Sequence, residues 1–488
     1  MVHWSDHKVI CKSALLKSNW RPCWEREGHT PAFATPQQAR NLHNPFGETK
    51  YLWGNVPAVD VINLEHNEGR GFTGNFSVLF AASGDLRNVV TTLSSLPEIY
   101  SSDIGVTLND KEFHVVARNA ILLLFIFTAL DEVTAKSSAG SKIARSLIHL
   151  WYSASITSEI YSELVSRVKP LFDDVCRQIS ATPAQEIVEK VWLFPHGKNL
   201  RLALKSEDWF SLQALCDVPS TLTSQKAMEA RKAITLAPER RDYRDRWYFK
   251  DATPSVRVAK QRFREDGLLL PVGDDRLGFG IPNPTFYFSS LVWPMNDKAD
   301  PLNGWPILEV AQTHTIAKED LYGKLYIYLQ HVFQKFLGRL STLRVDFVIV
   351  NMDAQQLPVA LKGKVYDRIE VRQNGMRIRR AEKSNNVQVS NITDAGYLGT
   401  RDTLRLLSPL LQLPCNNPHA TIVSTYLNAV MEMIKMGNEK DSISNMGLLM
   451  QYLPDIDILS LLQPESADSL KLWDARTLLL DRQKLFRR

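Results

Sequence analysis

Between Phe76 and Leu130 the chain alternates strand and helix patterns twice, and this restricts the fold more than any other feature of the sequence. Phe76-Ser-Val-Leu-Phe-Ala-Ala82 is a compact apolar run with β-branched and aromatic residues, as a buried strand requires, and it ends in Ser83-Gly84-Asp85. In Leu86–Leu96 the residues Leu86, Val89, Val90 and Leu93 recur at helical spacing, and Pro97 closes the segment. A second short strand, Ile104–Leu108, ends in Asn109-Asp110 and leads into a helix through Leu130. Strand–helix–strand–helix order predicts a parallel α/β sheet, because parallel neighbours need a crossover. The pattern resumes with strands at Val345–Val350, Val365–Val371 and Ala420–Ser424, the last preceded by a helix at Thr403–Leu411. The fold expected is α/β and Rossmann-like, with five strands side by side pointing the same way.

The implied organisation is an irregular Trp- and Pro-rich lead at 16–57, a first half of the Rossmann-like domain at 58–180 and a mixed insertion at 181–339. A second half follows at 340–430, then a helical C-terminal extension at 431–488. Residues 372–386 are charged and without periodicity, and interrupt the second half as a solvated excursion. Hydrophobic residues at 44% and charged residues at 23% exclude a disordered or collagenous chain. Lys+Arg 58 against Asp+Glu 53 leaves a net charge of +5, too little to declare a nucleic-acid binder. Cys11, Cys23, Cys176, Cys216 and Cys415 form no Cys-x-x-Cys pair, which fits a reducing compartment. The polar start at Met1–Cys11 has no signal-peptide core, and the apolar run Ala120–Leu130 is about half a membrane span. It reads as a buried core helix, so the expected location is cytoplasmic or nuclear, with no membrane partner.

One stretch, Arg231–Arg264, holds eleven Lys/Arg against four Asp/Glu. With Trp247, Tyr248 and Phe249 inside it, it could present a phosphate-contacting surface. Interleaved charges in Arg240-Arg-Asp-Tyr-Arg-Asp-Arg246 favour a solvated, salt-bridged loop instead. Nucleic acid is therefore not an expected partner. Gly69-Arg-Gly-Phe-Thr-Gly74 mimics a phosphate loop but lacks the Lys-Ser/Thr such a loop needs. His114, His149, His314 and His419 occur singly and read as structural.

In an open parallel sheet, ligands sit outside the carboxyl ends of the strands. Strand one delivers Ser83, Gly84 and Asp85 there, with Gly84 free to turn at positive φ. Strand two delivers Asp110, a residue suited to accept hydrogen bonds from ribose hydroxyls. Strand three delivers Asp353 before Leu357-Pro358, and strand four leads to Ser390-Asn391-Ile-Thr-Asp394. A plainer use of Asp85 is to cap the following helix and pair with Arg87.

This order of residues resembles class I S-adenosylmethionine-dependent methyltransferases. The resemblance implies that Ser83, Gly84 and Asp85 lie at the methionine part of the cofactor, Asp110 at the ribose and Asp353 at the adenine, with Asn391 or Asp394 as catalytic candidates. The chain departs from the family's Gly-x-Gly-x-Gly, keeping only Gly84, while Ala81 and Ala82 add methyl groups where the cofactor lies. Leu79-Phe-Ala-Ala-Ser-Gly-Asp-Leu-Arg-Asn-Val89, Leu108-Asn-Asp110 and Trp151-Tyr-Ser-Ala154 resemble a domain of unknown function of fungal proteins. The same domain opens axonemal dynein assembly factors. In the fungal group it often follows a MYND-type zinc finger, and His3-Trp4-Ser-Asp-His7-Lys8-Val-Ile-Cys11, within residues 1–15, resembles that finger's last turn. The resemblance implies His7 and Cys11 as its final zinc ligands. They make an incomplete half-site, since a structural zinc needs four ligands and Cys23 alone cannot complete the set.

Two functions are expected from this reading. The first is a protein-interaction or assembly protein on a degenerate methyltransferase-like domain, with a protein partner. The alternative is an active S-adenosylmethionine-dependent methyltransferase.

Overall fold

A computed structural model of the protein describes residues 12–34, 46–48, 50–135, 137–287, 292–371 and 399–425. Strands β1 (Phe76–Phe80), β2 (Ile104–Asn109), β3 (Ser155–Ile156), β4 (Ile187–Phe194) and β5 (Lys198–Lys205) are followed by β6 (Ile281–Pro282), β7 (Val345–Val350), β8 (Arg368–Val371) and β9 (Thr421–Ser424). Seven of them form one sheet in the order β4-β5-β7-β2-β1-β8-β9, and β3 pairs with β6 apart from it. Every neighbouring pair in the large sheet is parallel except β4 with β5. The five predicted strands therefore do lie side by side with one polarity. From β1 the chain builds outward through β2 to β7, then returns to the other side of β1 with β8 and β9. The order reverses at the β1–β8 boundary, the topological switch point of a Rossmann-like sheet.

The central strands are apolar on both faces because both faces are covered. On one side pack helices α1 (Arg87–Ser95), α2 (Phe113–Ala135), α3 (Ser137–Tyr152) and, far along the chain, α6 (Leu321–Thr342). In α2 the residues Ile121, Leu123, Leu124, Phe125 and Ile126 are fully buried, contributing roughly 10 kcal/mol of apolar transfer as an upper estimate. Phe113–Glu132 is long and apolar enough to cross a membrane, but 83% of its most apolar window is buried inside the protein, as the sequence predicts for a core helix. The opposite face carries a smaller cluster in which Leu79, Val348, Val350 and Ile369 meet Leu357, Leu361, Tyr366, Leu407 and Leu410.

Three differences from the sequence reading stand out. The insertion contributes to the sheet itself. The β4–β5 hairpin, turned through His196 and Gly197 at positive φ, docks beside β7, and α6 enters the helical layer. Strand four begins at Arg368 rather than Val365, since Tyr366 forms only an isolated bridge with Leu411.

The third difference concerns Arg231–Arg264, which is not a solvated loop. It folds into α4 (Ser224–Thr235, which ends within it), short turns and α5 (Pro254–Asp266), and buries Arg231, Arg240, Arg246, Arg257 and Arg264. Their guanidinium groups lie over aromatic rings, Arg264 at 3.7 Å from the Tyr248 centroid and Arg246 at 3.9 Å from that of Phe33. Arg231 of α4 donates to the carbonyls of Phe263 and Arg264 at the end of α5, and Arg264 donates to the Thr235 carbonyl ending α4. Each helix thus caps the other's negative end. The candidate phosphate-stacking rings Tyr248 and Phe249 are buried in this packing.

Candidate functional site

The carboxyl edge of the sheet gathers Ser83, Gly84, Asp85, Asp110 and Asp353, because β1, β2 and β7 run in register and end there. Gly84 turns the chain at φ 54°, as expected of a glycine at this bend. Around it, Ser83 donates its N–H to the Asn109 carbonyl at 2.7 Å, and Asn119 donates its side-chain amide to the Gly84 carbonyl at 2.7 Å. Asn109 and Asn351 tie the three strand ends together. Asn109 Nδ2 donates to Ala81, its Oδ1 accepts from Met352, and Asn351 Nδ2 donates to the Asp110 carbonyl.

Asp110 faces inward and is 3% exposed. Its Oδ2 accepts the Gly84 N–H at 3.0 Å and its Oδ1 accepts the Glu112 N–H at 2.9 Å. Burial pushes its carboxyl up to about 6, against the opposing pull of those two N–H donors. The carboxylate expected at a ribose therefore holds the glycine turn and the start of α2 together.

Asp85 is likewise engaged, though not as a helix cap, for α1 begins after Leu86 with no side-chain cap. Its Oδ2 accepts the Gly54 N–H at 2.9 Å and its Oδ1 accepts Arg87 Nε at 2.6 Å. Arg87 is wholly buried and donates Nη1 to the Gly304 carbonyl at 2.8 Å and to that of Val56. A Cβ on Gly54 would sit 1.2 Å from Arg87 Nη2, and one on Gly304 would sit 2.6 Å from Nη1, so both glycines are shaped around this guanidinium. Beside Asp85 lies a crevice with no room for a water molecule, lined by Leu52, Val115, Arg118, Asn119, Leu122 and Trp151. Arg118 is held at its wall by the Thr285 and Trp151 carbonyls and by the Phe286 ring at 4.1 Å, and burial pushes it down to about 9.

Asp353 stands apart on the exposed lip, where its side chain accepts from Gln355 and caps a 3-10 turn. Asn391, Asp394, His7 and Cys11 lie outside the described residues. The sequence reading passed over one group on this edge. His114, read as an isolated structural histidine, lies 3.0 Å from Glu112 Oε1 through Nδ1, and Lys50 Nζ approaches its ring, 3.1 Å from Nε2. Burial lowers both Lys50 and His114. The signal was present in Asp110-Lys-Glu-Phe-His114, where a strand-end acid is followed by ionisable residues at a helix start.

Ser83, Asp85 and Asp110 are buried, each carboxylate oxygen of the two aspartates accepts a hydrogen bond from the chain, and the crevice beside Asp85 has no room for a water molecule. Residues 52–156 match a family model described as Domain of unknown function (DUF4470), a span that takes in β1, α1, β2, α2, α3 and β3. Neither a curated protein nor a solved structure matches the chain.

Proposed function

We propose that this chain is a protein-interaction or assembly protein that keeps a methyltransferase-like sheet without using the cofactor. The observation that carries this reading is the burial of Asp110, 3% exposed, whose two oxygens hold the Gly84 and Glu112 N–H groups inside the protein rather than facing a ligand. Asp85 supports it, being locked to Arg87 and Gly54. The resemblances to the fungal group, to dynein assembly factors and to a MYND-type finger point the same way, since those are settings for partner binding rather than small-molecule turnover. A protein partner in the cytoplasm or nucleus is the corresponding proposal. Nucleic acid has little to hold, because Arg231, Arg240, Arg246, Arg257 and Arg264 are buried. The alternative, a working methyltransferase, draws on the strand order and on Lys50, Glu112 and His114 as acid–base groups at the sheet edge.

Calorimetric titration of the full chain with S-adenosylmethionine, beside an Asp110→Ala variant, separates the two. The expected result is no saturable heat from either protein. Saturable binding to the natural chain that disappears in the variant would overturn the proposal in favour of the enzyme.

A further inference from the structure

Away from the sheet edge, the short helix Cys23–Glu27 of the lead packs against Arg241–Arg244, one turn of helix more than two hundred residues later. Cys23, His29 and Asp242 meet there, with Sγ, an imidazole nitrogen and a carboxylate oxygen all within 4.8 Å of one another. Cys23 Sγ lies 2.7 Å from Asp242 Oδ1, closer than a thiol ordinarily approaches a carboxylate, and His29 Nε2 lies 3.2 Å from each Asp242 oxygen.

We propose that Cys23, His29 and Asp242 form a zinc-type divalent metal site that fastens the lead to the Arg241–Arg244 turn. Sulfur, nitrogen and oxygen donors in a tight cluster are the set that zinc takes, with three protein ligands and the fourth position left to water. Zinc bonds of about 2.0–2.3 Å at tetrahedral angles put neighbouring donors roughly 3.4–3.6 Å apart. The His29–Asp242 spacing is near that already, Sγ needs to withdraw from Asp242 Oδ1 by less than about 1 Å, and Sγ lies within 4.8 Å of the His29 nitrogen. The surroundings suit a cation. Asp245 Oδ2 accepts the Cys23 N–H at 2.6 Å, setting a second carboxylate beside the sulfur. Glu27 Oε2 faces His29 Nδ1 at 3.7 Å, which favours the tautomer with the Nε2 lone pair toward the site. The Ala32 N–H holds Asp242 Oδ2 at 2.7 Å. Cys23 and Asp242 are buried, while the His29 side chain is 40% exposed and offers the route of entry. Burial and the two flanking carboxylates push the Cys23 thiol up when no cation is near. A bound divalent ion reverses that balance and takes the thiolate.

The test is an anaerobic Co²⁺ titration of the chelator-stripped full chain. The expected result is one cobalt per chain with a thiolate-to-cobalt charge-transfer band, which added Zn²⁺ abolishes. Cys23→Ser should remove the band. His29→Gln, a change at the rim that leaves the circular dichroism native, should weaken binding at least about tenfold. A double variant, His7→Asn with Cys11→Ser, should leave the band intact, which separates this site from the N-terminal pair. A folded natural chain without the band, or a band that survives Cys23→Ser or is lost with Cys11→Ser, would overturn the proposal.

Discussion

Asp85 and Asp110 end neighbouring strands of the same sheet, yet they meet different partners. Asp85 meets a buried guanidinium, whereas Asp110 meets only backbone N–H donors and is held up at about 6 by desolvation. A carboxyl raised above its ordinary value of 3.8 binds its proton more tightly in the folded protein. Its contribution is therefore complete below about pH 4 and is lost as pH rises through about 6. Measured against an Asp110→Asn chain by urea unfolding, the natural protein should lose on the order of 2 kcal/mol of relative stability between pH 4 and 7. A flat difference would show that Asp110 titrates normally. The acids themselves were legible from the sequence, because strand-end loops are where an α/β sheet puts its ligands. Their partners were not. Gly54, Val56 and Gly304 come from the lead and the insertion, and no local pattern encodes a bond such as Arg87 to Gly304, which spans 217 residues.

At the scale of elements, α4 and α5 show how a charged sequence can become a core. Arg231 and Arg264 each donate to carbonyls ending the other helix, and Thr235 Oγ1 adds a bond to the Arg264 carbonyl at 2.8 Å. Replacing either arginine with Met should destabilise the chain by about 2–3 kcal/mol, the worth of charged hydrogen bonds to buried carbonyls. Because the two caps share one junction, the double variant should fall short of the sum by at least about 0.5 kcal/mol in chemical unfolding. Additive losses would mean that the caps act independently. Charge count and sign alternation pointed toward solvent here. What they could not reveal was that Phe33, Tyr248 and Phe263 would converge as faces for the guanidinium groups, although Trp247-Tyr-Phe249 within the basic run was a hint.

For the molecule as a whole, the sheet has one long free edge among the described residues, β4. It displays Ile187 at 63% and Leu193 at 78% exposure, without a proline or glycine to interrupt it. Natural proteins cover or blunt such edges. Ile187→Lys with Leu193→Lys should leave unfolding stability within about 0.5 kcal/mol while raising the concentration at which light scattering reports self-association. Unchanged scattering would show that this edge is not sticky. The five parallel strands were readable because each carries its own apolar run, whereas their order across the sheet was not. The β4–β5 hairpin was missed because its half-exposed alternation resembles the mixed insertion around it. The packing of Arg87 also bears on where the chain can be cut. Residue 58 looks like a natural start for the Rossmann-like half, but a fragment begun there would strip away Gly54 and Val56. It would leave a buried guanidinium and its carboxylate walled in with two of their three outside partners gone, so an excised piece that keeps them satisfied reaches back at least as far as Gly54 and forward past Gly304.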